Sequence, residues 1–419
     1  MASNAPTEQK MAEITCRPAQ PSDMKRVKEI TLLAFPEAAR HPEIVDDIEN
    51  ETWYSWHHWV VAERDGVVVT ALGLRPGVMW MSGVAVPTAT IGTVCTHPDH
   101  RGRGVGRELM GFADEVMRRE GVVIARLHTG ATRFGFYGRC GYVKTITSAP
   151  VMQLATDAVP ARTKERAEKE LGNAMVRPAH ARDATRMNDI YEATFQQGTG
   201  AISRNEHFFL RRIGHWPKMW MWYAPKFAVV EDPADGVVGY VAYSLDGPDD
   251  YGIVPELATL PHHARLARTL LLHVVREAQR FKVNRLDVSI DPHHALGWTV
   301  QEFRMQGEPD LAVMFLKVQD EPRFVELMLP VIAQRAGHAE VVLTLDLAGA
   351  DRATVGEGQP VRVVSDVQHL AALVYNGTWL AGLEGQGALR VEPDTRGARR
   401  ALGEIFPPTH PSRCALDGY

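Results

Sequence analysis

Two rhythms of apolar residues alternate along most of the chain. Ile14–Pro18 reads as a short strand, and Met24, Val27, Ile30, Thr31 and Ala34 then recur at helical spacing. Trp59–Glu63 and Val67–Leu74 predict a hairpin around Arg64-Asp65-Gly66. Strands are expected at Val78–Val86, Ile91–Thr96 and Val122–His128, with a helix over Arg107–Arg119. The order then repeats: Phe227–Glu231 and Val237–Tyr243 flank Asp235-Gly236, Leu266–Arg280 is helical, and Arg285–Ile290 is a strand. After Leu311–Val318 the style changes. Helices are predicted at Arg323–Gln334 and Val367–Tyr375, strands at Ala339–Leu347 and Val361–Val364, and the tail holds Pro407, Pro408 and Pro411.

The repetition extends to residue identities. Residues 14–35 and 174–195 align at a constant offset of 160, matching Arg17/Arg177, Pro18/Pro178, Ala19/Ala179, Asp23/Asp183, Ile30/Ile190 and Phe35/Phe195. In both copies a strand ends at R-P-A and an aspartate caps the helix. The chain therefore reads as two tandem copies of one fold followed by an unrelated unit.

Between Ile91–Thr96 and the helix lie His97-Pro98-Asp99-His100 and then Arg101-Gly102-Arg103-Gly104-Val105-Gly106. A strand, a glycine-rich turn and a helix N-terminus form a site for an anion, because first-turn amides and the macrodipole both point at it. The loop lacks the G-K-[ST] of a P-loop and the third glycine of a dinucleotide fingerprint. Its R-x-x-G-x-G form resembles the coenzyme-A pyrophosphate loop of GNAT-type N-acetyltransferases. At an offset of 163 the second copy has Ala264, Ala267 and Thr269 in place of Arg101, Gly104 and Gly106, so it is expected to be non-catalytic.

Composition narrows the setting. A length of 419 residues implies two or three domains, and 45% hydrophobic with 23% charged residues describes an ordinary globular protein. The net charge of −5 speaks against general nucleic-acid binding and suits cationic substrates. Cys16, Cys95, Cys140 and Cys414 are far apart, as expected of free thiols in a reducing cytoplasm. The polar opening Met1–Lys10 has no signal-peptide core and no stretch reaches transmembrane length, so no membrane partner is expected.

Val94-Cys95-Thr96, His100–Gly104, Phe136-Tyr137-Gly138-Arg139-Cys140-Gly141-Tyr142 and the ending Cys414–Tyr419 together resemble the enhanced-intracellular-survival (Eis) acetyltransferases. That resemblance covers the whole chain and implies an α/β (α+β) protein of three parts. These are a catalytic GNAT domain at 11–155, a degenerate GNAT domain at 156–315 and a sterol-carrier-protein-like domain at 316–419. It also implies roles. Backbone at Val94, Cys95 and Thr96 would pair with the pantetheine arm. Arg101, Gly102, Arg103, Gly104, Val105, Gly106 and Arg107 would hold the pyrophosphate of acetyl-CoA, and Thr132 and Arg133 its acceptor end. Tyr137 would be the general acid and the Tyr419 carboxylate the general base. No metal is implied. A cytoplasmic homo-oligomer, up to a hexamer, is the implied assembly. Gly102 stands where the family often has arginine, Cys140 replaces an aromatic residue, and Thr129–Gly135 departs from the usual S-E-G-G.

Acyl transfer to an amine needs a neutral nucleophile, a donor for the oxyanion and a proton for the departing thiolate. Tyr137 suits the last role, although a packed core tyrosine would show the same spacing. Trp53–Trp59 fits either an aromatic wall for a cation or core packing. His57-His58, His262-His263 and His293-His294 lack metal-ligand spacing. Trp216–Trp222 reads as packing, and Glu37 and Asp417 either supply negative charge to a polyamine pocket or face solvent as isolated acids usually do. The expected activity is acetyl transfer to a primary amine of an aminoglycoside, polyamine or lysine-like acceptor. The alternatives are a longer acyl donor in a biosynthetic pathway, or hydrophobic-ligand carriage on a GNAT scaffold.

Overall fold

The computed structural model describes residues 14–35, 56–148, 151–213, 226–246, 251–290, 295–306, 311–377 and 380–407. The chain divides into two compact units, Met1–Arg75 with Thr90–Glu120, and Pro76–Ala89 with Gly121–Tyr419.

In the first unit β1 (Ile14–Pro18) pairs antiparallel with β2 (Trp59–Arg64), which pairs antiparallel with β3 (Val67–Met81). β4 (Val84–Thr96) follows β3 in the sheet, and the stretch Pro76–Ala89, which holds the end of β3 and the start of β4, belongs to the second unit. Helix α1 (Met24–Ala34) buries Met24, Val27 and Ile30 against Trp59, Val61, Ala71 and Cys95. Helix α2 (Val105–Arg119) packs on β1 and β2 with Val105, Leu109, Ala113 and Met117 inward, the spacing of one helical face. Val78–Val86 is not one strand but the end of β3 and the start of β4, separated by Ser82-Gly83, both in left-handed backbone. That conformation closes a tight hairpin whose twist matches its strands.

The second unit contains β5 (Ile124–His128), β6 (Val143–Ser148), β7 (Val151–Ala155), β8 (Met175–Pro178), β9 (Thr199–Ile202), β10 (Lys226–Asp232), β11 (Gly236–Ser244), β12 (Tyr251–Thr259), β13 (Arg285–Ser289) and β14 (Leu311–Val318). β15 (Val341–Ala348), β16 (Ala353–Val355), β17 (Gln359–Asp366) and β18 (Arg390–Glu392) complete its strands. Its helices are α3 (Phe134–Arg139), α4 (Ala161–Leu171), α5 (Ala184–Phe195), α6 (Glu206–Arg212), α7 (Ala267–Arg280), α8 (Ala295–Val300), α9 (Glu321–His338), α10 (Val367–Tyr375), α11 (Leu380–Gly385) and α12 (Arg396–Ile405). Three strand arrays result: β5-β14-β6, β7-β13-β12-β11-β10-β8, and β16-β15-β17-β18.

Sheet membership does not follow the sequence boundaries at 155 and 315. β7 joins the second array through β13, and β14 runs antiparallel between β5 and β6. Met314, Leu316 and Val318 on one face of β14 share a core with Phe324, Met328 and Ile332 of α9. The third array thus has a core continuous with that of β14.

The repeat is visible as chemistry. Arg17 holds both carboxylate oxygens of Asp23 (2.7 and 3.0 Å) and bonds Glu63, while Asp23 accepts the amide of Gln20. Arg177 does the same with Asp183 (2.7 and 3.0 Å) and Glu231, and Asp183 accepts the amide of His180. R-P-A…D is therefore a clamp that ties a strand to the start of a helix. The facing guanidinium holds Asp23 and Asp183 below the usual carboxylate range, despite partial burial. Among the described residues, no helix is long and apolar enough to cross a membrane.

Candidate active site

The anion cradle is built at the end of β4. The amide of His97 donates to Val69 of β3 (2.8 Å), and Pro98–His100 makes one tight helical turn. Gly102 and Gly104 follow at φ +72° and +84°, and Gly104 caps α2 without help from any side chain. L side chains avoid that backbone, so glycine is needed for its conformation. A Cβ at either position would meet none of the described residues within 4 Å. The backbone N–H groups of Gly102, Arg103, Gly104, Val105 and Gly106 have no partner among the described residues. Consecutive amides in alternating backbone form a nest for an anion, and the positive end of α2 adds to it.

The arginines divide in role. Arg101 turns back, its Nε donating to the Thr96 carbonyl (3.2 Å), and so braces the loop against the strand. Arg103 and Arg107 are exposed and supply charge. His100 sits below the ordinary imidazole range through partial burial and the nearby Arg103, His97 and Arg64, and is neutral at neutral pH.

Of the three β4 residues expected to face the cofactor, Cys95 points inward. Its Sγ lies 3.6 Å from Thr31 Oγ1 and from the Ala71 carbonyl, and burial pushes the thiol up to about 11. Val94 and Thr96 lie on the other face, half-buried, with Thr96 accepting a hydrogen bond from Thr70 (3.2 Å). Sequence reading missed Thr93. It takes φ +49° inside β4, a left-handed backbone that a strand residue other than glycine rarely adopts. Threonine is an ordinary strand former, so nothing in its identity signals this.

The second group of candidates lies in the second unit. Thr132 and Arg133 are exposed on the short turn Ala131–Arg133, and Tyr137 is one turn further on in α3. The Tyr137 ring is 6% exposed and packs edge-on to Phe136 (centroids 5.0 Å), with Phe315 of β14 at 6.0 Å and Tyr142 at 6.3 Å. Its hydroxyl has no hydrogen-bond partner among the described residues. Burial pushes it up to about 12, with Arg133 pulling the other way. The structure thus brings 94–96 together with 101–107 in one unit, and 132–133 together with 137 in the other. Tyr419, Cys414, Asp417, Glu37, Trp53–Ser55, Trp216–Trp222 and His293-His294 lie outside the described residues.

The second copy is closed by its own side chains. Pro261–Leu266 replaces the glycine turn, and no residue there has left-handed backbone. Arg268, in the first turn of α7, is buried and donates through Nε and Nη2 to both oxygens of Glu170 on α4 (2.8 Å each), and through Nη1 to the Thr299 carbonyl (2.6 Å). Thr269 bonds the Ala167 carbonyl (2.9 Å). Helix α4, absent from the sequence expectations, thus brings an internal carboxylate to the arginine of that helix start. Leu296, Val300 and Phe303 fill the adjoining core. His263 meets a carboxylate at the turn between β10 and β11, Asp235 at 2.9 Å.

Residues 15–144 match the acetyltransferase (GNAT) domain family. The full-length fold has solved relatives. A GCN5-related N-acetyltransferase from Kribbella flavida shares 22% identity over 97% of this chain and 99% of its own, with a TM-score of 0.72. A GCN5-related N-acetyltransferase from Anabaena variabilis shares 15% over 95% and 98%, with 0.70. Eis1 from Mycobacterium abscessus shares 17% over 96% and 99%, with 0.64. No curated protein matches the sequence significantly. The chain carries a GNAT domain and is an acetyltransferase.

Proposed function

We propose that the protein transfers the acetyl group of acetyl-CoA to a primary amine of a small cation, such as an aminoglycoside, a polyamine or a lysine-like side chain. The observation that carries this reading is the run of unpartnered amides at 102–106, within a matched GNAT domain. A diphosphate needs several N–H donors and positive charge, and the nest, the α2 dipole, Arg103 and Arg107 offer both. The residues present fit the pyrophosphate of coenzyme A in those terms. The net charge of −5 suits a cationic acceptor.

In the reaction the amine nitrogen bonds to the thioester carbonyl carbon and the carbon–sulfur bond breaks. The amine loses one proton and the sulfur gains one. An alkylammonium with a pKa of about 10 must deprotonate first, and a base or water takes that proton. The candidate base, the Tyr419 carboxylate, lies outside the described residues. The backbone of 94–96, which follows the positive-φ Thr93, is assigned to the thioester arm, and Thr132 and Arg133 to its acceptor end. Tyr137 is assigned to the leaving sulfur. A hydroxyl pushed up to about 12 stays protonated throughout the neutral range, as a donor must. Full transfer to a thiolate of about 8.5 is uphill, so the hydrogen bond itself, growing with charge on sulfur, does most of the stabilising.

The same reading extends to an Eis-type architecture, with a sterol-carrier-like unit at 316–419, a homo-oligomeric state and a cytoplasmic setting. The shared full-length fold with Eis1 and the absence of a membrane-length helix among the described residues support it. The test is thiol release from acetyl-CoA across a panel of amines, with longer acyl donors in parallel. Amine-dependent release is expected with acetyl-CoA. Release with none of the amines, from protein that binds coenzyme A, would contradict the reading.

A further inference from the structure

Tyr137 is fixed by a strand that lies far from it in sequence. Phe315 and Lys317 share one face of β14, since side chains alternate along a strand, while Met314, Leu316 and Val318 point into the core of α9 and α10. The Lys317 ammonium donates to the carbonyl of Cys140 (2.8 Å), the residue that ends α3, and lies 5.5 Å from the centre of the Tyr142 ring. A cation at a helix C-terminus is favourable against the exposed carbonyls. The held turn hangs on Tyr137 itself. The amides of Cys140 and Tyr142 both donate to the Tyr137 carbonyl, at 3.0 and 3.1 Å. Gly141 follows the held carbonyl, and a Cβ there would press on Lys317 at 3.3 Å. On the ring side Phe315 packs against Tyr137 and Phe134. The strand in turn is pinned at its end. Gln368 of α10 accepts from the amide of Val318 (2.7 Å) and donates to its carbonyl (3.0 Å).

We propose that Lys317 is a positioning residue for Tyr137: it holds the end of α3 through the Cys140 carbonyl and so sets where the tyrosine hydroxyl stands. This rests on the assignment of Tyr137 as the proton donor. Lys317 touches neither donor nor acceptor on this account. Its removal should therefore slow the chemical step without weakening cofactor binding.

The experiment is a double-mutant cycle on the full chain, read by steady-state kinetics with acetyl-CoA and a working amine. Lys317→Met should lower kcat about tenfold, the scale of a catalytic group displaced by a fraction of an ångström, with the KM for acetyl-CoA within twofold. Lys317→Arg, which keeps a cationic donor, should restore most of kcat. In a Tyr137→Phe background Lys317→Met should have no further effect on kcat. If the Met variant does not fold, Lys317→Gln carries the same cycle. A kcat within twofold of wild type for the Met or Gln variant, or an equal loss in the Phe background, would overturn the positioning role while leaving Tyr137 as donor. A fully active Tyr137→Phe enzyme would instead remove the donor assignment itself, and the proposal with it.

Discussion

On the proposed function, single residues separate into those that bind and those that act. Arg103 would touch phosphate equally in ground and transition states, so Arg103→Ala should raise the KM for acetyl-CoA several-fold and leave kcat within a few-fold. Arg101 was legible as part of the motif, but its bond to the Thr96 carbonyl was not, because a side chain's direction is not written in spacing. Tyr137→Phe should lower kcat by the ~10²–10⁴ typical of proton-transfer groups, with cofactor affinity unchanged. A second readout is independent of turnover. The folded-state pKa of Tyr137 is raised to about 12 from an ordinary 10, so the buried neutral ring contributes stability fully below pH 10. That contribution, roughly 2–3 kcal/mol, is lost as pH rises from 10 to 12, because the unfolded chain ionises first. Wild type should therefore lose more stability across that window than Tyr137→Phe, as chemical denaturation at stepped pH would show. Equal losses would mean that the ring is not desolvated.

At the scale of elements, the R-P-A…D signature was readable in both copies because it is local: strand, arginine, aspartate and helix start lie within a few residues. Its third member was not, since Glu63 and Glu231 arrive on the hairpin strand. The folded-state pKa values of Asp23 and Asp183 are depressed, so these clamps stabilise above about pH 4 and fail as pH falls below it. Asp183→Asn should flatten the acid limb of unfolding, and an unchanged acid midpoint would deny the clamp its role. The glycine loop was legible as well, whereas the closed state of its counterpart was only half so. The missing glycines predicted lost function, but helix α4 and the Glu170–Arg268 pair were invisible, because Glu170 lies 98 residues before its partner. Arg268→Ala strands a partly buried carboxylate, and should cost about 2–4 kcal/mol in denaturant unfolding with no change in cofactor KM. A raised KM would show that the second copy takes part in cofactor binding.

For the whole molecule, hydrophobic pattern identified strands such as β14 almost to the residue, yet could not say which sheet they join. Leu311–Val318 alternates correctly for either, and what decides is the match of Met314, Leu316 and Val318 to the core of α9 and α10. The chain as a unit is proposed to bind acyl-coenzyme A at the open nest of 102–106, while the counterpart near Arg268 is shut. Calorimetric titration of the protein with coenzyme A tests this most directly. One molecule should bind per chain, and Gly104→Val, which cannot comfortably take φ +84°, should weaken that binding strongly while Arg268→Ala leaves it unchanged. Two molecules per chain, or tight binding that survives the change at Gly104, would contradict the account.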